Sequence, residues 1–142
     1  MVPVEMLAGI TQGSKLFEVI EHINRDTLVR YAGASGDFNA IHYNDTAALD
    51  AGLPNVIAHG MLTMGLAATA VENWAGDPTA IAAMGTRFAS MVVVGYPDGT
   101  DVRIIGLLGQ VAPGRARIEL QVEDANHEHV LTHAFADVKV SG

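Results

Sequence analysis

Alternating apolar and polar positions are clearest in residues 115–124. Charged or amide side chains occupy every second position there and aliphatic side chains lie between them, as in Arg117, Ile118 and Glu119. A period of two predicts a strand with one buried face. Three further stretches rich in Val, Ile and Leu predict strands over residues 80–94, 101–111 and 129–140. Short turns rich in Pro, Gly and Asn separate these stretches, so we expect neighbouring strands to pair antiparallel.

The pattern changes in residues 60–74, which predict the principal helix of the chain. This stretch is rich in Ala, Leu and Met and is apolar nearly all round until Glu72, as in a helix buried on most sides. Gly76 and Pro78 end it. The preceding chain predicts an irregular lead-in over residues 1–13, a strand over 15–24, a helix capped by Asn24 and ended by Gly33 and Gly36, and a short helix over 45–51.

These elements predict one antiparallel sheet wrapped around one long apolar helix. The fold class is therefore α+β, and a length of 142 residues suits a single domain over residues 1–142. The sheet covers only one side of the helix. We therefore expect a second copy or a related subunit to cover the other side, usually with two-fold symmetry.

Composition excludes several classes of function. A formal net charge of −8 argues against nucleic-acid binding, which needs clustered Lys and Arg. There is no cysteine, so disulfide and thiolate chemistry are excluded and a reducing compartment is favoured. The first residues lack the basic and apolar segments of a signal peptide, and no apolar run approaches ~20 residues. We expect a cytoplasmic protein with no membrane span.

A carboxylate and an imidazole, Asp37 and His42, lie five positions apart in a polar segment preceded by Gly36. Alone, Asp37 is equally typical of a turn residue, and His42 alone is more typical of a structural histidine. Together they are suitable partners for moving protons near neutral pH. Asn39 lies between them, and its side chain is expected to brace the loop through bonds to the backbone.

The start of the principal helix is the second candidate region. The first N–H groups of a helix are unpaired and lie at the positive end of its dipole. The N–H of Gly60 could therefore stabilise a carbonyl oxygen that gains negative charge, although Gly60 is also explained by a tight helix entry. His59 is expected to support the loop. The candidate substrate contacts are the flanking residues Asn39, Ile57, His59 and Met61, of which Met61 is also a candidate core residue.

The remaining histidines of interest do not predict a metal site. His127 lies in a predicted turn, and His129 and His133 lie on a predicted strand without acidic ligands of suitable spacing, so a solvated strand face is favoured. Dinucleotide, P-loop, nucleophile-elbow and zinc-protease motifs are also missing from the sequence. We predict neither a cofactor nor a metal.

Two segments, YAGASGDFNAIH at 31–42 and IAHGMLTMG at 57–65, closely resemble the MaoC-like (R)-specific enoyl-thioester hydratases and dehydratases. Within that family the resemblance is greatest to the catalytic subunits of mycobacterial (3R)-hydroxyacyl-ACP dehydratases. The resemblance implies a hot-dog fold, usually dimeric. It also implies that Asp37 and His42 form the catalytic dyad and that the Gly60 N–H binds the thioester carbonyl. One position departs from the family pattern, because Ala40 stands where a proline is usual.

The resemblance further implies the reversible hydration of a trans-2-enoyl thioester to an (R)-3-hydroxyacyl thioester, carried by CoA or by an acyl-carrier protein. The expected partner is a second copy or a related hot-dog subunit. Two alternatives are a hot-dog thioesterase and a non-catalytic acyl-binding subunit, although the latter is expected to have lost Asp37 or His42. A third, an acidic interaction domain, leaves the apolar helix and both segments unexplained.

Overall fold

The computed structural model describes residues 1–142. Six strands form the sheet, with the bounds β1 Val2–Pro3, β2 Lys15–Ile23, β3 Ile81–Phe88, β4 Thr100–Ala112, β5 Arg115–Glu123 and β6 His129–Ser141. The helices are α1 Arg25–Ser35, α2 Asp45–Asp50 and α3 Gly60–Ala75, and 3₁₀ turns cover Val4–Leu7 and Ala40–His42. The main elements therefore follow the predicted order.

The sheet has the order β1-β6-β5-β4-β2, and β3 also pairs with β6. All pairs are antiparallel except β1 with β6, where Val2 aligns with Val140 in parallel. In the centre of the sheet, Ile104 lies opposite Val122 and Ile118 opposite Ala136, and all four side chains are fully buried. This inward face packs on α3 and forms one hydrophobic cluster of 28 buried residues.

Helix α3 is buried along one side rather than all round. Its buried residues include Leu62, Ala67, Ala70 and Val71. A stripe at intervals of four residues stays exposed, and it contains Met61, Gly65, Thr69 and Asn73. The sequence predicted a helix buried on most sides, whereas this side of the helix is exposed. Met61 is the one large apolar residue in the exposed stripe. None of the helices is both long and apolar enough to cross a membrane.

Helix α1 has well-defined ends. At its start the Asn24 side chain accepts a hydrogen bond from the Thr27 N–H, and the Thr27 hydroxyl accepts one from the Asn24 N–H, each at 3.1 Å. This reciprocal cap fixes the predicted start. The helix continues through Gly33, which was predicted to end it, and stops at Gly36 with φ +76°. A left-handed C-terminal residue is where glycine costs least, so Gly36 alone ends the helix.

Two further predictions need correction. The strand predicted over 80–94 ends at Phe88, and further along the chain Val93 forms an antiparallel bridge with Ile57. The lead-in is not wholly irregular, since Val2 and Pro3 extend the sheet. Both differences arise from pairing between distant segments, which local sequence patterns do not encode.

Candidate active site

The loop after α1 is held by short-range hydrogen bonds. The Asp37 N–H donates to Ser35 Oγ at 3.1 Å, and Asp37 Oδ1 accepts from the Asn39 N–H at 3.2 Å. Asn39 Oδ1 in turn accepts from the Ile41 N–H at 3.3 Å, at the start of the 3₁₀ turn. Asn and Asp side chains commonly close turns in this way. The loop therefore presents Asp37 and His42 from a compact, self-bonded segment.

His42 is held in one tautomer. Its side chain is only 7% exposed, and its Nδ1–H donates to the main-chain carbonyl of Ile57 at 2.7 Å. A carbonyl oxygen can only accept, so Nδ1 carries the proton. Nε2 is then left as the basic nitrogen of the neutral ring. His42 also contributes to the wall of a cavity, so a base is available there.

His59 lies directly behind His42 and is 2% exposed. The two rings stack with centroids 3.8 Å apart, and the rings of Tyr31 and His59 meet in a T-shaped arrangement with centroids 4.7 Å apart. His59 Nε2–H donates to the main-chain carbonyl of Asp37 at 3.1 Å, whereas Nδ1 is buried without a protein partner. Burial lowers the pKa of His59, although its hydrogen bond to Asp37 acts in the opposite direction. The ring is therefore neutral near pH 7.

The cavity beside His42 has a volume of about 510 Å³. Its wall consists of His42, Ile57, Ala58, Gly60, Thr63, Phe88, Ala89, Ser90, Met91, Val92, Glu128 and Val130. Gly60 is the first residue of α3, so its N–H has no carbonyl partner within the helix. A Cβ at Gly60 would lie 3.0 Å from two ring atoms of Phe88. The missing side chain therefore keeps the backbone accessible at the helix start.

The structure brings together most of the residues that the sequence singled out. The Asp37 carboxylate lies close to His42 and His59, since one ligand atom from each of the three lies within 4.8 Å of the others. Ile57 and Gly60 lie on the cavity wall with His42. Asp37, Asn39 and Met61 are exposed and lie outside that wall, and His59 is behind it.

Sequence reasoning missed the opposite wall of the cavity. Phe88 to Val92 belong to the stretch predicted as a continuous strand, and Glu128 and Val130 follow the distant turn between β5 and β6. The small pair Ala89-Ser90 was the one available signal of an interruption. Both of its N–H groups donate to the carbonyl of Val130, at 2.9 and 3.3 Å, which turns the chain toward the cavity.

A metal could in principle be held by Asp37, His42 and His59 because of their proximity. Each imidazole uses one nitrogen to donate to a backbone carbonyl, which is also how metal-bound histidines are commonly held. The same set of one carboxylate and two imidazoles is suited to proton transfer.

The family model described as "MaoC like domain" matches residues 9–125. The chain therefore belongs to the MaoC-like dehydratase family. This match covers the loop of Asp37 and His42, the whole of α3 and the four strands β2 to β5, whereas β1 and β6 lie outside it. The family predicted from the two segments is confirmed.

Among curated proteins, peroxisomal enoyl-CoA hydratase 2 from Arabidopsis thaliana is 37% identical over 75 residues, which is 51% of this chain and 24% of that protein. The 3-hydroxyacyl-thioester dehydratase X from Mycobacterium tuberculosis is 43% identical over 65 residues, which is 46% of this chain and 22% of that protein. The matches thus span about a quarter of the length of these relatives.

Solved structures confirm the hot-dog fold. A MaoC-like dehydratase superposes with a TM-score of 0.88 at 32% identity, covering 94% of this chain and 41% of that chain. The (R)-hydratase from A. caviae involved in PHA biosynthesis superposes with a TM-score of 0.82 at 19% identity, covering 94% of this chain and 99% of that chain. The latter likeness is informative for the fold alone, and it extends over nearly the whole of both chains.

Proposed function

We propose that this chain, acting as one MaoC-like domain, catalyses the reversible hydration of a trans-2-enoyl thioester to an (R)-3-hydroxyacyl thioester. The observation that carries the proposal is that His42 and Gly60 share one cavity wall while the Asp37 carboxylate, itself outside that wall, lies close to His42. Membership of the MaoC-like family supports the same reaction class.

In the hydration direction, the Asp37 carboxylate and His42 Nε2 hold one water molecule by accepting its hydrogens. The water oxygen bonds to C3 of the enoyl group, while one of the two side chains takes its proton. The proton taken from the water is then delivered to C2, directly or through the other side chain, as the C2–C3 double bond becomes a single bond. Water is thereby added across the double bond with no other reactant, and a pair of positioned proton-transfer groups contributes about 10²–10⁴-fold each.

The N–H of Gly60 stabilises the charge that this reaction creates. As C3 is attacked, negative charge develops on the thioester oxygen in an enolate-like state. An unpaired N–H at the start of α3, aided by the helix dipole, is suited to donate a hydrogen bond to that oxygen and so stabilise the charge. Losing one such donor typically costs about 10²–10³-fold in rate.

The acyl chain occupies the cavity. Seven of its twelve wall residues are hydrophobic, including Ile57, Phe88 and Met91. A volume of about 510 Å³ lies within the usual range of small-molecule sites, roughly 300–1,000 Å³. The carrier, CoA or an acyl-carrier protein, remains outside the cavity.

We also propose that a second copy, or a related hot-dog subunit, packs beside the cavity. Phe88 and Met91 on the cavity wall are 54% and 51% exposed, and Met61 in the first turn of α3 is 57% exposed. Strand β3 pairs only with β6 and leaves its other edge open. A solved structure of similar fold is a complex of two proteins, ChsH1 and ChsH2. Native mass spectrometry of the chain expressed alone distinguishes a homodimer from a monomer that needs a different partner.

The experiment mixes purified protein with crotonyl-CoA and follows the loss of enoyl absorbance, with chiral analysis of the product. We expect (R)-3-hydroxybutyryl-CoA without release of free thiol. Thiol release would instead identify the thioesterase alternative. Repetition with longer enoyl chains and with an enoyl acyl-carrier protein identifies the preferred length and carrier. A homogeneous, folded protein that is inactive with every enoyl thioester, alone or with its partner, would refute the proposal.

A further inference from the structure

His59 connects all the elements of the candidate site, yet the proposed reaction gives it no task. Its Nε2–H holds the main chain of Asp37, and its ring face lies against His42. It is also the covalent neighbour of Gly60.

We propose that His59 is a positioning residue that fixes Asp37, His42 and the Gly60 N–H relative to one another. The inference rests on the hydration function proposed above. His59 itself does not touch substrate, because it is 2% exposed and lies behind His42, outside the cavity wall. Its effect is exerted through Asp37 and His42, which it contacts, and through Gly60, its covalent neighbour.

Both contacts are needed because they hold different segments. The hydrogen bond at 3.1 Å holds the loop at Asp37, whose carboxylate is otherwise exposed to solvent. The stacked ring at 3.8 Å supports His42, which is also bonded to Ile57, two residues before His59. Misplacement of a reacting group by about 1 Å can cost 10²-fold in rate, so modest loosening of either segment has a large effect.

The chemistry of imidazole explains why this position holds a histidine. Phe would supply a flat ring without the N–H donor, and Gln would supply a donor without the ring. The groups that face His59 are Tyr31 from α1, Asp37 from the loop and His42 from the 3₁₀ turn. A positive charge on His59 would lie against the face of His42, and its Nδ1–H would have no protein acceptor. The neutral ring is therefore the state that positions the site.

The test compares His59→Phe and His59→Gln with wild type, and uses His22→Gln as the matched control. His22 is an exposed histidine on β2, paired with Asp101 and outside the cavity wall. For each folded variant, kcat and KM are measured with crotonyl-CoA. NMR order parameters are measured for the backbone of residues 36–39, for which a rigid backbone gives about 0.85 and a flexible one falls below about 0.6.

We expect His59→Phe to lower kcat at least tenfold, to leave KM within threefold, and to lower the order parameters of the loop. His59→Gln should retain loop order and at least threefold more kcat than His59→Phe, because its amide can replace the Nε2–H donor. His22→Gln should match wild type. Wild-type kcat in His59→Phe, or wild-type loop order in that variant, would overturn the proposal.

The two readouts separate this inference from the proposed function. If wild type does not hydrate any enoyl thioester, the hydratase proposal fails, whereas loop order in the two variants still tests whether His59 positions Asp37. Conversely, an active wild type with equal kcat in all three variants refutes the role of His59 and leaves the hydratase proposal intact.

Discussion

His42 and His59 lie face to face, with ring centroids 3.8 Å apart and planes inclined by 21°. Each ring donates one N–H to a backbone carbonyl, His42 to Ile57 and His59 to Asp37. These bonds fix opposite tautomers, since His42 is protonated on Nδ1 and His59 on Nε2. The pair therefore presents one basic nitrogen at the cavity and keeps a second, neutral imidazole behind it.

This arrangement predicts how stability changes with pH. Burial lowers the pKa of His59 in the folded protein, whereas the unfolded chain has the ordinary value of about 6.5. Below that value the unfolded state binds more protons than the folded state, so acidification destabilises the fold until the folded pKa is reached. The free energy of unfolding should fall by at most about 1.4 kcal/mol per pH unit from this group.

The measurement is urea unfolding of wild type and His59→Gln at several pH values from 7.5 to 5. Wild type should lose stability more steeply than the variant below pH 6.5. Arg117 lowers the pKa of Asp137 through their ion pair. Because the pair is present in both proteins, its contribution to the pH dependence of stability cancels when the two curves are compared. Parallel curves for the two proteins would contradict a lowered pKa at His59.

Gly60→Ala should reduce activity far more than stability. The new Cβ would lie 3.0 Å from the Phe88 ring, which is exposed enough to move aside. It would also crowd the N–H that is proposed to bind the thioester oxygen. We expect kcat/KM to fall at least tenfold while the melting temperature changes by no more than a few degrees, as measured by steady-state kinetics and circular dichroism.

Gly65→Ala is the matched control in the same helix. Gly65 is exposed, and a Cβ there would meet no atom within 4 Å. Ala in place of Gly inside a helix stabilises by roughly 0.5–1 kcal/mol, so this variant should be slightly more stable and fully active. Equal activity of Gly60→Ala and Gly65→Ala would argue against a role for the helix start.

Ala40→Pro should stabilise the protein without changing its activity. Ala40 begins a 3₁₀ turn, in which φ is near the value that proline imposes. Asn39 before it has φ −58° and ψ 125°, which a following proline permits. Ala40 accepts hydrogen bonds from Tyr43 and Asn44 through its carbonyl, and proline retains that group. The free energy of unfolding should rise by about 0.4–1 kcal/mol, because proline reduces the conformational freedom of the unfolded chain.

Chemical denaturation of Ala40→Pro measures this gain, and Ala34→Pro is the control. Ala34 lies in the last turn of α1, where proline removes a helical hydrogen bond and costs about 3 kcal/mol. Destabilisation by both substitutions would show that the backbone at position 40 does not accept proline.

Most elements were predictable because their signals are local. The cap at Asn24, the alternation in β5 and the apolar run of α3 all lie within short stretches. The hydrogen-bonded turns around Asp37 and Asn39 are local as well. Each of these features depends on residues that are only two to four positions apart, and such spacing is visible in a sequence.

The features of the fold and the site that were not predicted depend on contacts between distant segments. Residues 91–94 have the composition of a strand, but Val92 and Val94 pair with the segment before α3 instead of continuing β3. The wall residues Phe88 and Glu128 come from separate parts of the chain. The stacking of His59 on His42 also spans a loop and a helix start. The sequence pattern within any one of these segments does not indicate which distant segment it contacts.

The central claim is that Asp37 and His42 form the proton-transfer pair of a hydratase. It is tested most directly by kcat/KM for crotonyl-CoA in wild type, Asp37→Asn and His42→Gln, with His22→Gln as the control. Both substitutions remove a proton-transfer group with little change in side-chain size. We predict that each lowers kcat/KM about 10²–10⁴-fold, while His22→Gln remains at the wild-type value. An active wild type with equally active Asp37→Asn or His42→Gln would contradict the claim.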